Sequence, residues 1–396
     1  MLTLFRSRLF VAVTSGHLAV DMLNSVVPVL LATLAVPLAL TNAQIGGALT
    51  LQIFAGSLSQ PIFGLLADRF RGRTIMLAGV GLAWMAICLI AAVMSGSWGF
   101  MLPLLGLMTL GSGLFHPIGT ATAAAAHPRR PASATAMFFF SGQSGLALGP
   151  LIGGLLLTAG NTSAPIIGLC LVSLIPAVLM WTAPQPGQVE LPGRRAAPSI
   201  LRVGAFLIIA FVVLVALRSS IQSVYMSFLP KVFADRGWDP ASYGAIAGIF
   251  MFTAAIGNIV AGSVADRFGM RAATIWPSLL SVPAGLICFL SPNIALAFIA
   301  CGIAGLVVGG QHSVLVLHAQ RLLPVRQGFA AGLILGFTFA AGGIGTWIAG
   351  IAADQVGLLN TMQAVTLLGL PVALLSLTLP GREATTTPVP LAVEQV

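Results

Sequence analysis

Along this chain apolar residues neither alternate nor recur in a narrow stripe. They fill long runs, broken by short connections that carry charges, Pro or Gly. Twelve runs stand out, at about 9–37, 44–66, 74–95, 99–125, 134–158, 164–183, 200–229, 241–264, 273–291, 293–318, 328–352 and 358–379. Roughly 20 apolar residues in a helix cross ~30 Å of hydrocarbon, and only helices or closed barrels satisfy their backbone in lipid. Runs this long predict an all-α membrane protein of twelve transmembrane helices, with no room left for a soluble catalytic domain. The first run follows Arg6 and Arg8 as a signal peptide would. It is too long for one, contains His17 and Asp21, and precedes eleven further runs, so it is read as a span.

Composition sharpens the picture. Hydrophobic residues make up 58% of the 396 positions and charged residues 7%, against about 25% charged in soluble domains. A soluble enzyme, a disulfide scaffold and a disordered chain are excluded. The formal charge of +9 does not indicate nucleic acid, because the basic residues lie as ones and twos between apolar runs. Cys88, Cys170, Cys288 and Cys301 each sit alone in an apolar run, as small buried hydrophobes. Fifteen of the 18 basic residues fall in every second connection or the tail: Arg6, Arg8, Arg69, Arg71, Arg73, Arg129, Arg130, Arg194, Arg195, Arg202, Arg267, Arg271, Arg321, Arg326 and Arg382. The positive-inside rule then puts both termini in the cytoplasm of a multi-pass protein of the cell inner (plasma) membrane.

The longest polar connection, PQPGQVELPGRRAAPS at 184–199, divides the chain into an N-terminal six-helix bundle (1–183), a cytoplasmic linker (184–199), a C-terminal six-helix bundle (200–380) and a cytoplasmic tail (381–396). The halves repeat each other. Gly64-Leu-Leu-Ala-Asp68-Arg69-Phe70 returns 198 positions later as Gly262-Ser-Val-Ala-Asp266-Arg267-Phe268, His116 returns 196 positions on as His312, and GPLIGG (149–154) aligns with GTWIAG (345–350). Many secondary transporters are built from such repeats, with the substrate site near the midplane between them.

GLLADRFRGR (64–73) and GSVADRFGMR (262–271) resemble the signature Gly-x-x-x-Asp-Arg-x-Gly-x-Arg/Lys of the major facilitator superfamily, after helices two and eight. The second copy fits fully; in the first, Arg71 stands where the glycine usually is and Gly72 follows one place late. GHLAVDMLNSVVPVLL (16–31) and GSGLFHPIGT (111–120) resemble the fosmidomycin-resistance branch, a group of drug efflux antiporters, and SGQSGLALGPLIGG (141–154) is similar to the glycine-rich helix-five motif of proton-coupled exporters. The resemblance implies the major facilitator fold of two pseudo-symmetric six-helix bundles. Many drug antiporters keep an arginine in helix four, where this chain has none and offers His116.

Asp21 lies near the middle of span one, where a charge costs at least ~2.5–3.5 kcal/mol. It must face the interior, and either titrate or act as the permanent partner of a buried arginine. His17, Asp21 and Asn24 share one helical face by their i, i+4, i+7 spacing, and Arg218, Gln222 and Tyr225 repeat that spacing in span seven. Both faces are expected to line one cavity, with Arg218 either pairing with Asp21 or binding an anionic group on the substrate, since its planar fork suits carboxylate or phosphonate. His116 precedes the helix-kinking Pro117 and is a candidate proton relay with His17 and Asp21. Gln143, Gln311 and His312 are further cavity candidates. Asp68, Arg69, Arg73, Asp266, Arg267 and Arg271 are expected to form a cytoplasmic gate between the halves. Gly145, Gly149, Pro150, Gly153 and Gly154 in span five, with Gly336, Gly342, Gly343, Gly345 and Gly350 in span eleven, are expected to serve close packing and hinging.

No nucleophile elbow, His-Glu-x-x-His, paired carboxylates or Walker loop is present. The reading is therefore not an enzyme, without cofactor or metal, but a proton-coupled secondary transporter. It exports small amphipathic or anionic compounds by alternating access, works as a monomer, and has protons, a small-molecule substrate and membrane lipid as partners. Uptake of an organic anion or metal chelate by the same fold is the alternative, and a membrane-embedded enzyme or lipid-handling protein the remote one.

Overall fold

The computed structural model describes residues 4–70, 73–127, 130–158, 162–184, 205–322 and 327–379. Every regular element among them is helical: α1 (Arg8–Leu34), α2 (Asn42–Arg69), α3 (Thr74–Met94), α4 (Trp98–Ala126), α5 (Pro131–Leu157), α6 (Ser163–Thr182), α7 (Ala205–Asp235), α8 (Pro240–Phe268), α9 (Ala272–Leu290), α10 (Ile294–Leu322), α11 (Gln327–Val356), α12 (Leu358–Leu367) and α13 (Gly369–Leu375), with short 3-10 turns at Leu4–Arg6 and Ser376–Thr378. Twelve spans are long and apolar enough to cross a membrane, as the apolar runs predict. The last span differs in being broken after Leu367. Pro371 has no N–H to continue the ladder. Gly369 lies so close to α9 that a Cβ there would stand 2.8 Å from the Ser278 carbonyl.

Helix starts follow local chemistry. Ser7 accepts a hydrogen bond from the Phe10 N–H at the head of α1. Thr41 and Gln44 form a reciprocal capping box on α2. Asp239 caps α8 ahead of Pro240, and its bonds from the Ser242 hydroxyl and N–H hold its carboxyl below the usual carboxylate range. α8 ends at Gly269 with φ of +88°, where a side chain would be strained. This is the glycine of the second signature copy; the matching turn at 71–72 lies outside the described residues, as do most of the linker and the whole 381–396 tail.

Helices α1–α6 pack among themselves, as do α7–α13, and the two groups meet chiefly through α5 on α8, α2 on α11, and α1 on α7. These crossings are built on glycine. A Cβ on Gly154 would lie 2.2 Å from the Pro240 carbonyl and 2.9 Å from the Cα of Gly244; one on Gly350 would lie 2.5 Å from the Asn42 carbonyl, and one on Gly46 2.8 Å from the Thr346 carbonyl. Gly154 and Gly350 are 196 positions apart, Gly46 and Gly244 198, so one crossing is the pseudo-symmetric copy of the other. Around them both oxygens of Asp354 accept from the backbone N–H groups of Asn42 (2.7 Å) and Ala43 (2.9 Å). Thr33 and Tyr243 share a hydroxyl bond of 2.6 Å, and Thr50 donates to the Gly343 carbonyl at 2.7 Å. All of these lie towards the end where α1, α5, α7 and α11 finish and α2 and α8 begin. At that distal end the halves are joined.

Candidate functional site

In the first half, Asp21 sits midway along α1, 8% exposed. One turn earlier His17 Nε2 stands 3.3 Å from its Oδ2; from α4, His116 Nε2 stands 3.4 Å from its Oδ1. Each imidazole is fixed from behind: His17 Nδ1 is 2.8 Å from the Phe138 carbonyl, and His116 Nδ1 2.8 Å from the Ser112 carbonyl. A carbonyl only accepts, so both Nδ1 atoms carry the proton and both Nε2 atoms face the acid. The His17 ring stacks on Phe138 with centroids 4.0 Å apart. Nearby, Asn24 donates to the Ser112 hydroxyl at 3.0 Å, while its own Oδ1 is buried without a partner.

The sequence makes this cluster possible through α5. Gly142, Gly145, Gly149 and Gly153 lie along one face, and Cβ atoms there would stand 2.4 Å from His17, 2.3 Å from the Leu18 carbonyl, 2.1 Å from Ser25 and 2.5 Å from Val26. The bare stripe lets α5 lie directly on α1 and roof the His17–Asp21 pair. Gly145, Gly149 and Gly153 are packing positions in the sense the small-residue pattern implies. Gly142 is a positioning residue that the pattern left unassigned.

In the second half, Arg218 of α7 is 2% exposed. Its Nη2 donates to the carbonyls of Val308 (2.8 Å) and Gly309 (3.2 Å), and its Nη1 to Nδ1 of His312 on α10 (3.4 Å). Its Nε is buried with no partner, and no carboxylate pairs with it among the described residues. Val215, Ser219, Leu315, Ile334 and Thr338 line the cleft around the guanidinium. Asp21 and Arg218 are 197 positions apart, His116 and His312 196. The same place in each half therefore joins a charge on the first helix of that half to a histidine on the fourth. The charge is negative in one half and positive in the other.

Several expectations need correcting. Asp21 and Arg218 do not pair: the shared faces of α1 and α7 point into their own bundles, and each charge is held by its own half. Tyr225, expected in the cavity, is enclosed within the C-terminal bundle, where its hydroxyl bonds Thr366 at 2.6 Å and its ring stacks on Phe250. Gln311 turns to α9, donating to the Ser278 hydroxyl at 3.1 Å; being next to His312, it points a quarter-turn away from it. Gln143 and Gln222 are half-buried. Of the expected gate, Arg69, Arg73, Asp266 and Arg267 are exposed, with Arg267 over the Phe268 ring. Arg271 donates through Nε to the Leu379 carbonyl at 2.8 Å. The Asp68 side chain lies outside the described residues. Among the described residues no ion pair joins the halves at that end; the carboxylate that does cross between them is Asp354, at the other end, which hydropathy reading passed over as the close of an apolar run.

The model of the Major Facilitator Superfamily matches residues 9–223 and 211–395. The chain is 28% identical over 359 residues to the fosmidomycin resistance protein of Escherichia coli (strain K12), covering 88% of this chain and 86% of that protein. It is 28% identical over 367 residues to an uncharacterized MFS-type transporter, YfnC, of Bacillus subtilis (strain 168), covering 89% and 88%. In fold it is similar to a bacterial homolog of the human lysosomal transporter Spinster, solved in an inward-facing and occupied conformation, with a TM-score of 0.77 at 15% identity over 93% of this chain and 95% of that one.

Proposed function

The chain belongs to the Major Facilitator Superfamily and is a multi-pass secondary transporter, and from that premise we propose that it exports small amphipathic or anionic compounds across the cell inner membrane in exchange for protons, by alternating access. One observation carries the reading. Two buried, opposite charges occupy the same place in the two repeats, each against a histidine, and neither neutralises the other. A mid-membrane acid flanked by two imidazoles is a place to load and unload a proton. A buried guanidinium with an unpartnered Nε and no carboxylate is a place for the anionic group of a cargo. The similarity to a fosmidomycin resistance protein supports the outward direction.

With both termini read as cytoplasmic from the arginine distribution, the joined end of the halves faces outward. Asp21 takes its proton from outside and releases it inside, as a monomer's own halves rock about the glycine crossings. Transport in everted vesicles tests the role: Asp21→Asn is expected to abolish uphill, pH-gradient-driven movement while leaving the protein folded. Uphill transport at the normal rate in that variant would remove Asp21 from coupling. Uptake of an organic anion or metal chelate is the competing direction, and accumulation in whole cells with and without the protein separates the two.

A further inference from the structure

Two imidazoles and one carboxylate converge beneath α5, and hydrogen bonding decides which atoms they present. With Nδ1–H of His17 and His116 committed to the Phe138 and Ser112 carbonyls, each ring in its neutral form offers only the lone pair of Nε2. Both lone pairs are aimed at the Asp21 carboxylate, at 3.3 and 3.4 Å. Three electron-rich groups facing one another repel each other unless a cation, a proton or a metal ion, lies between them. The separations exceed the about 2.7–2.9 Å of a charge-assisted N–H···O bond. Tetrahedral bonds of about 2.0–2.2 Å to imidazole and carboxylate set neighbouring ligand atoms roughly 3.3–3.5 Å apart, and each imidazole stands at that distance from one carboxylate oxygen, His17 from Oδ2 and His116 from Oδ1. One ligand atom from each of the three residues lies within 4.8 Å of the other two.

The backbone carbonyls behind each ring are the outer-shell partners that orient a ligating histidine. The walls are the rings of Phe115, Phe138 and Phe139 and the bare Cα of Gly142, with no other charged group among them. The His116 side chain keeps 24% exposure, so the cluster is not fully enclosed.

We propose that His17, Asp21 and His116 form a binding site for a divalent transition-metal ion of the zinc type. Nitrogen donors suit such an ion, whereas magnesium and calcium demand six or more oxygen ligands. The proposal holds whichever way cargo moves. Where it meets the coupling role proposed above, an ion seated on these lone pairs blocks the proton's place and stalls transport.

The full chain, purified in detergent with an affinity tag free of histidine, is titrated with cobalt chloride and then zinc sulfate. One cobalt ion per chain should bind with the intense visible absorption of tetrahedral coordination, and zinc should displace it while magnesium chloride does not. His116→Ala and Asp21→Asn should lose more than the about 10–100-fold in affinity that removing an outer-shell partner costs. His312→Ala should bind as the unaltered chain does. In a background without the four native cysteines, His116→Cys restores a ligand, and should recover binding with a sulfur-to-cobalt charge-transfer band. Six-coordinate cobalt, or an affinity in His116→Ala and Asp21→Asn equal to that of the unaltered chain, overturns the site. Zinc binding without any effect on transport upholds the site and defeats the coupling role. Loss of transport in Asp21→Asn without metal binding to the unaltered chain does the reverse.

Discussion

Gly142 has room for a hydrogen and nothing larger. A methyl group there would stand 2.5 Å from His17 Nε2 and 2.7 Å from Asp21 Oδ2, so both side chains would have to leave their places. Gly142→Ala is expected to lower stability by about 1–3 kcal/mol, the usual cost of overpacking a tight interior, and to lose pH-gradient-driven transport out of proportion to that loss. Thermal unfolding in detergent and vesicle transport on the same preparation check it; unchanged transport would detach the roof of α5 from the acid below. The polar members of this cluster were legible in sequence because a charge or imidazole in a long apolar run is an exception that must find a partner. Which partner was not legible. The i, i+4, i+7 spacing of Arg218, Gln222 and Tyr225 establishes a shared face, but not whether that face looks across the halves or into its own bundle, and Tyr225 on Thr366 shows that it looks inward. Gly142 carried no exceptional chemistry at all; only contact with His17 reveals it.

At the scale of helices, twelve spans were readable because lipid demands continuous apolar length, a property of sequence alone. The break in the last span was not, since it depends on Gly369 reaching the Ser278 carbonyl of α9. The hold of α11 on α2 was equally hidden. Asp354 closes it from 312 positions away, placing a carboxylate on the N-terminal N–H groups of α2, where anions are favoured. Asp354→Asn keeps one acceptor oxygen and gives up the charge. The variant is expected to weaken the distal contact by about 0.5–1 kcal/mol, shifting the balance between closed and open distal ends roughly two- to fivefold. In a background without the four native cysteines, the rate at which Thr33→Cys reacts with an impermeant thiol reagent measures the shift; an unchanged rate would show that Asp354 does not hold that end.

For the molecule as a whole, the described arrangement is one in which the distal ends of the halves touch. Thr50 and Gly343 face each other there, Thr50 Oγ1 bonding the Gly343 carbonyl and its Cγ2 lying 3.5 Å from the Cβ position of Gly343. A Thr50→Cys, Gly343→Cys pair is within the reach of a disulfide. Oxidation should arrest turnover and reduction restore it, read as substrate flux before and after a reducing agent. Full flux in the cross-linked protein would mean that these ends never part, and alternating access would fail with them.

The crossings at Gly154–Gly244 and Gly46–Gly350 bring main chain against main chain, because the four glycines carry no side chain of their own. A bearing whose closest contacts are backbone depends little on what the cavity-lining faces of the helices display. Residues facing the cargo can be exchanged for others of different size or polarity without refitting the pivot, so this scaffold is free to acquire new cargoes by changing its lining while its movement stays the same.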